Sequence, residues 1–384
     1  MTRRLRIAFV VGEPSGDALG ADLLAALRAQ AGDQGIEAVG LAGEKLTALG
    51  VRSLFDISDV AVMGISAVVG RLPKILRRIR QAAAGVVAAR PDCVVCIDSP
   101  DFTHAVAKRV REKLPDVPIV KYVCPSVWAW RPGRAPRMRA HFDHVLAILP
   151  FEPEVLRRLD GPACTYVGHP LARRVEAVRG AGLPDAPDVP QLLVLPGSRL
   201  GEINRMLATY GRTLEILAER GNRFDPVLPA VRHLRSEIER RIADWPVRPR
   251  LVDAADNDTV FPTARAALAT SGTVVLELAL HRVPTAVAYR FDPLAKRVAP
   301  WVNIWTGSLP NLIADEILVS EDLDETVRPG RLARRVELLL ADGHERSRQL
   351  EGFEKVAERM HTDVPAGEKA AGVVLRLARE GRPG

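Results

Sequence analysis

Short apolar runs alternate along the chain with stretches in which apolar residues recur every three or four positions. That alternation predicts β-α-β units and parallel sheets. In the first half, strand-like runs fall at residues 6–11, 37–41, 93–97, 119–123, 145–149 and 165–167, with helical patterns at 18–29 and 102–113. Residues 173–189 are rich in Ala, Gly, Pro and charge and keep no period, which marks a domain boundary. The second half repeats the scheme: a strand at 191–195, a glycine turn, a helix at 202–219, and strands at 226–228, 250–252, 266–269 and 285–289. From residue 331 onward the pattern is helical with mixed charge. The expected fold class is therefore α/β, with two domains, 1–172 and 190–384, and a helical C-terminal segment.

Size agrees with this division, since 384 residues exceed one ordinary core. Hydrophobic content of 47% beside 26% charge excludes a disordered chain. No apolar run reaches the length of a membrane-spanning helix, and the N-terminus reads as unprocessed. A net charge of +7 suits an anionic partner. No zinc-finger spacing, RNA-binding aromatic signature or long lysine block accompanies it, so no nucleic-acid partner is expected. Cys93 and Cys96 mimic a C-x-x-C pair, yet on a strand they face opposite ways and cannot converge on one metal. The four cysteines read as small core residues in a reducing compartment.

The chemistry gathers at strand ends. Gly12-Glu13-Pro14-Ser15-Gly16-Asp17 opens a helix directly after the first strand, where Ser15 and Asp17 either cap that helix or meet a ligand. It lacks the dinucleotide spacing. Asp98-Ser99-Pro100-Asp101-Phe102 puts two carboxylates at the carboxyl edge of a buried strand, where open parallel sheets place their sites. Asp98 is the better placed as a general base, and Asp101 reads mainly as a helix cap. Ser126, Trp128, Trp130 and Arg131, followed by Arg134, Arg137 and Arg139, form either a phosphate-binding loop or an aromatic plug beside a solvated basic face. His169, after Gly168, is either a structural histidine or an acid-base group.

In the second half Gly197, Ser198 and Arg199 start a helix whose amides can hold a diphosphate, with Arg199 neutralising charge on a leaving group. Ser271, Gly272 and Thr273 repeat that logic, and Glu277, one turn on, can accept both hydroxyls of a ribose. Asn311 either binds a sugar or holds a turn.

These segments, in order, resemble the lipid-A-disaccharide synthase family, a glycosyltransferase family (family 19) of the GT-B type. The matching pieces are GEPSGD at 12–17, AVMG at 61–64, DSPDF at 98–102, PSVWAWR at 125–131, PFE at 150–152, GHPL at 168–171, LPGSR at 195–199, SGT…LE at 271–277 and SLPNLIA at 308–314. They span residues 6 to about 320. SGT…E is shared widely among related transferases, whereas PSVWAWR with SPDF is specific. The resemblance implies two Rossmann-like domains and an inverting transfer from UDP-2,3-diacylglucosamine to 2,3-diacylglucosamine 1-phosphate. It implies no metal or cofactor. Asp98 would be the base towards the acceptor 6-hydroxyl. Arg199, Ser271, Gly272 and Thr273 would hold the diphosphate and Glu277 the ribose, with Asn311 lining the cleft. Glu13 and the Trp128–Arg131 loop would position the sugars.

Four departures from the family pattern stand out: Thr103 where asparagine is common, Cys124 for serine, Arg173 for an acidic residue, and Val319–Asp324 in place of a V-P-E-x-x-Q segment. Lipid substrates give a further meaning to Val60–Arg80, where apolar residues including Val68, Val69, Leu72 and Leu76 interleave with Arg71, Lys74, Arg77, Arg78 and Arg80. Such a segment rests on an anionic membrane surface or covers a sheet. The expected location is cytoplasmic, peripheral on the inner leaflet of the inner membrane. A homodimer is compatible with the resemblance.

Overall fold

The structure, a computed structural model, describes residues 3–61, 65–182, 187–292, 296 and 304–382, with the side chains of 65–71 excepted. The chain forms two compact units, Met1–His169 with Thr362–Gly384, and Pro170–His361.

In the first unit six parallel strands, β1 (Leu5–Val11), β2 (Ile36–Leu41), β3 (Cys93–Ile97), β4 (Ile119–Tyr122), β5 (His144–Ala147) and β6 (Ala163–Tyr166), lie in the order β2-β1-β3-β4-β5-β6. The main crossover helices are α1 (Pro14–Ala31), α2 (Ile65–Ala89) and α3 (Pro100–Lys113). β3, Cys-Val-Val-Cys-Ile, is buried throughout because helices cover both faces of a parallel sheet. Cys93 packs with Ile7 and Phe9 on one face, and Cys96 with Ala8 and Val10 on the other. All four cysteines are free thiols, and the opposed directions of Cys93 and Cys96 keep that pair from converging.

The second unit begins with helix α4 (Pro170–Gly180) and carries strands β7 (Gln191–Leu195), β8 (Asp225–Ala230), β9 (Arg250–Asp253), β10 (Ala264–Thr270), β11 (Thr285–Tyr289) and β12 (Glu321–Leu323). All its strand pairs are parallel, in the order β12-β11-β10-β7-β8-β9. Helices α5 (Leu200–Glu219), α6 (Thr273–Leu280), α7 (Pro329–Leu340) and α8 (His344–Met360) accompany them.

The two sheets share an architecture but differ in strand order. Read from β7 as first, the second sheet has the dinucleotide-fold order 3-2-1-4-5-6, whereas the first runs 2-1-3-4-5-6, as in flavodoxin-like folds. Each has one place where consecutive connections leave in opposite directions: between β1 and β3 in the first, and between β7 and β10 in the second. In open α/β sheets ligands bind at such switch points, outside the carboxyl ends of the strands.

Three differences from the sequence expectation concern the elements themselves. Half of the stretch expected as a linker, 173–189, is helix α4, which is amphipathic enough to bury Ala172 and Val175. β12, Glu-Asp-Leu, has no apolar period to announce it; it pairs with β11 at the sheet edge. The third is the last helix, α9 (Ala366–Glu380). The division 1–172 and 190–384 assigned it to the second domain, but it packs on α1 in the first unit. Its Ala370, Ala371, Val374 and Leu377 join Leu23, Leu24 and Leu27, and Gln30 Nε2 donates to Glu368 O at 2.8 Å.

Candidate active site

At the first switch point β1 and β3 pair so that Val11 lies beside Ile97, bringing the loops after them together. Contact here is close: a Cβ on Gly12 would fall 2.6 Å from Ser99 Cβ, so only glycine fits. Ser99 Oγ donates to Glu13 Oε1 at 2.8 Å and Ser15 Oγ to Asp98 Oδ2 at 3.2 Å. Ser99 N donates to Asp98 Oδ1 at 2.9 Å. Both oxygens of Asp98 are thus oriented. The backbone bends to achieve this, with φ of 51° at Asp98 and 37° at Ser99, a left-handed conformation that costs non-glycine residues about 1 kcal/mol or more each.

A buried cation underpins the bend. Lys121, on β4, is fully buried, and its Nζ donates to the Asp98 carbonyl oxygen and to Thr103 Oγ1, the latter at 3.0 Å. Thr103 Oγ1 in turn lies 2.9 Å from Asp98 O and 3.1 Å from Ser99 O. Burial pulls the Lys121 ammonium down to about 8, against the opposing pull of Cys96, Asp98, Cys124 and Glu13. Neither Lys121 nor its link to Thr103 was legible beforehand, because β4 reads as an ordinary buried strand.

Other predicted residues of this unit sort differently. Asp17 is buried but does not cap α1, whose N-cap is Glu13; it accepts from the amides of Gly43, Lys45 and Leu46 at 2.8, 2.7 and 3.3 Å, closing the next short helix. A Cβ on Gly16 would lie 3.4 Å from Asp98 Cβ. Asp101 is not the cap of α3 either: that position is Ser99, and Asp101, largely exposed, pairs with Arg134 at 2.7 Å. Trp128 Nε1 donates to Glu152 Oε1 at 3.2 Å and its ring meets Phe151 edge-on, so the PSVWAWR and PFE segments hold each other. Burial raises the Glu152 carboxyl to about 8, so it is protonated around neutral pH. Ser126 is exposed, and the Arg131 guanidinium stacks 3.9 Å above the Trp130 ring. His169 follows Gly168, which has φ 101°, and burial lowers its imidazole to about 4, leaving it neutral.

At the second switch point, β7 and β10 pair Leu195 with Ala269, and the turns beyond them wall a cavity of about 440 Å³. Gly197 has φ 113° and sits against Glu202, where a Cβ would come within 2.5 Å. The start of α5 differs from expectation. Its amides are already engaged: Ser198 N and Arg199 N donate to Glu202 Oε2 at 2.9 and 3.2 Å, and Arg199 Nη1 lies 3.3 Å from Glu202 Oε1. α6 is the open terminus, since no side chain caps it at Gly272 and Ser271, Gly272 and Thr273 line the cavity. Tyr210 Oη, 3.1 Å from Thr270 Oγ1, supports the turn from below.

Glu277 is half-buried on α6, and burial raises its pKa against the pull of Arg174, whose guanidinium binds it. Arg174 also reaches Asp258 at 3.2 Å. Ligand atoms of Asp258, Glu277 and His281 fall within 4.8 Å of one another, a grouping that no sequence spacing announced. The cation beside these carboxylates is Arg174. Asn311 is buried and fully engaged: its Nδ2 donates to Thr306 Oγ1 and Val319 O at 3.0 and 2.8 Å, and its Oδ1 accepts from Leu318 N and Val319 N at 2.9 and 2.8 Å. Of its two expected uses the geometry answers to the turn, since both polar atoms of the side chain are taken up within it. In the departing segment, Glu321 accepts from Thr306 Oγ1 and, at 3.1 Å, from Gly307 N, while buried Asp322 lies between Arg331 and Arg335 at 2.6 Å each.

Of the Val60–Arg80 segment, residues 62–64, with most of AVMG, and the side chains of 65–71, including Val68, Val69 and Arg71, lie outside the described residues. Beyond them Leu72 and Leu76, one helical turn apart on α2, are exposed. The basic face is thinner than the sequence implied, because Lys74 and Arg78 both bind Asp59. Among the described residues no helix is long and apolar enough to cross a membrane.

The family model for lipid-A-disaccharide synthetase matches residues 7–371. Lipid-A-disaccharide synthase of Rhodopseudomonas palustris (strain HaA2) is 47% identical over 386 residues, covering 98% of this chain and 97% of its own. Among solved structures, the glycotransferase of kitacinnamycin aligns with a TM-score of 0.63 at 16% identity over 97% of this chain and 99% of that one. The S. aureus MnaA–UDP co-structure aligns at 0.61 and 13% identity over 98% and 96%. Both likenesses speak to the fold alone, that of two Rossmann-like halves. With the family match running through both switch points and nearly the whole length, the chain belongs to the lipid-A-disaccharide synthetase family.

Proposed function

We propose that the chain is the hexosyltransferase that joins UDP-2,3-diacylglucosamine to the 6-hydroxyl of 2,3-diacylglucosamine 1-phosphate, releasing UDP and the β-1,6 disaccharide 1-phosphate of lipid A. Asp98 carries the reading, because both its oxygens are oriented at a switch point and it sits above a buried cation. It takes the proton of the acceptor 6-hydroxyl as that oxygen attacks C1 of the donor from the face opposite the leaving UDP, which inverts the anomeric centre. Glu13, held by Ser99, and the Trp128–Arg131 loop position the acceptor.

The second unit takes the nucleotide. The open start of α6, with Ser271, Gly272 and Thr273, receives the diphosphate, and Arg199 offsets the charge that grows on UDP. Glu277 accepts the ribose hydroxyls, sharing them with Arg174. Turnover of the two substrates in detergent is the test: disaccharide 1-phosphate and UDP should form in equal amounts. UDP released without disaccharide, or tight UDP-sugar binding without either product, overturns the reading.

Peripheral attachment to the cytoplasmic face of the inner membrane belongs to the same reading. It is supported by the lipid nature of the substrates and by exposed Leu72 and Leu76 beside Arg77 and Arg80. Leu72→Ser with Leu76→Ser should weaken flotation with anionic vesicles several-fold, and unchanged flotation removes this surface. A homodimer rests on the resemblance alone; a monomer mass by light scattering excludes it.

A further inference from the structure

The first unit holds another cavity, about 650 Å³, between α3 and the short helix Arg134–Met138. Its walls include His104, Lys108, Arg131, Arg134, Arg137 and His141. Only Arg134 has a carboxylate partner, Asp101; among the described residues Lys108, Arg131 and Arg137 pair with none. Like charges gathered without counterions repel one another, so the cluster is arranged for an anion. His104 adds a second, independent sign: its Nε2 is buried with no hydrogen-bond partner. Burial, helped by the nearby charges of Lys121, Arg134 and His141, holds that imidazole at about 3, so it is a neutral group able to offer one N–H.

We propose that this cavity is a phosphate-monoester subsite that holds the 1-phosphate of the acceptor, an assignment that rests on the function proposed above. A phosphate monoester is a dianion with three acceptor oxygens, which two guanidinium forks and an ammonium match. A diphosphate donor has no such terminal monoester, so the site separates acceptor from donor. Its location fits. Arg134 touches Asp101, and Asp101 is three residues from Asp98, at most about 10 Å along the chain. Base and cavity are therefore neighbours along α3, which suits an acceptor whose 6-hydroxyl meets one and whose 1-phosphate meets the other.

The experiment compares binding of the acceptor 1-phosphate with that of its dephosphorylated counterpart in detergent micelles. It uses the full chain and its Lys108→Ala/Arg137→Ala variant. The wild type should prefer the phosphorylated form at least tenfold, and the variant should lose most of that preference. In turnover the variant's acceptor KM should rise about tenfold with the donor KM within twofold. The charge-keeping swap Lys108→Arg/Arg137→Lys should restore the preference, which a general folding defect would not allow. Undiminished preference in the alanine variant overturns the proposal. So does loss of binding to phosphatidylglycerol vesicles with preference intact, which gives the cavity to a lipid headgroup. Lost preference together with a wild type that makes no disaccharide keeps the phosphate subsite and removes the transferase reading instead.

Discussion

The two switch points solve different problems with different materials. In the first unit side chains do the building: Glu13, Ser15, Asp98 and Ser99 bind one another, and two non-glycine residues accept left-handed backbone to make this possible. In the second unit the backbone does it. Gly197 takes the positive φ, and α6 starts without a side-chain cap. On the proposed function the first switch point must transfer a proton, which requires a carboxylate held at one angle, so strain there is tolerable. On the same proposal the second holds a diphosphate, which requires close approach to amides, so side chains there are obstacles.

Four substitutions test the contrast. Asp98→Asn keeps the size and the Ser15 contact but removes the base; kcat should fall roughly a thousandfold while UDP affinity stays within twofold, by turnover and calorimetry. A matching loss of UDP affinity would break the division of labour. Glu277→Gln should weaken UDP about tenfold, with a smaller effect on kcat at saturating donor. Glu202→Ala removes the carboxylate that engages the start of α5. UDP should bind a few-fold tighter while stability falls by about 1 kcal/mol; an unchanged Kd means that the diphosphate never visits α5.

The fourth substitution is Lys121→Met. Below about pH 8 Lys121 is charged in both folded and unfolded chains, and the cost of burying it is fully present. As pH rises from there towards 10.5, the folded chain sheds the proton first, so the wild type gains stability. Relative to the methionine variant the gain should approach about 1 kcal/mol per pH unit in urea unfolding. A flat difference across that window removes the buried ammonium from beneath Asp98.

Much of this was legible because parallel strands are continuous apolar runs and their ends are where chemistry collects. Asp98, Ser271–Thr273 and Glu277 were singled out that way, and the structure places each at the end of a strand or in the turn or helix after it. What escaped depended on partners distant in sequence. Asp17 looks like a cap for its own helix and closes another, twenty-seven residues on. Glu202 engages amides that the glycine turn advertises as free. Arg174 lies in a stretch without period and finds Glu277 across 103 positions. No local rule distinguishes α9 as a helix of the first unit, because an amphipathic face does not say which sheet it covers.

The position of α9 has a consequence for biosynthesis. The chain leaves the first unit at His169 and re-enters it at Thr362, so the second unit is an insertion within the first. On the ribosome, Leu23, Leu24 and Leu27 of α1 emerge long before Ala370, Val374 and Leu377, which cover them. The second unit can fold while the earlier half waits with an uncovered apolar face, a species that invites aggregation or chaperone capture. Assembly therefore finishes where synthesis began, and a nascent chain stalled before residue 366 holds a completed second sheet and an open first one.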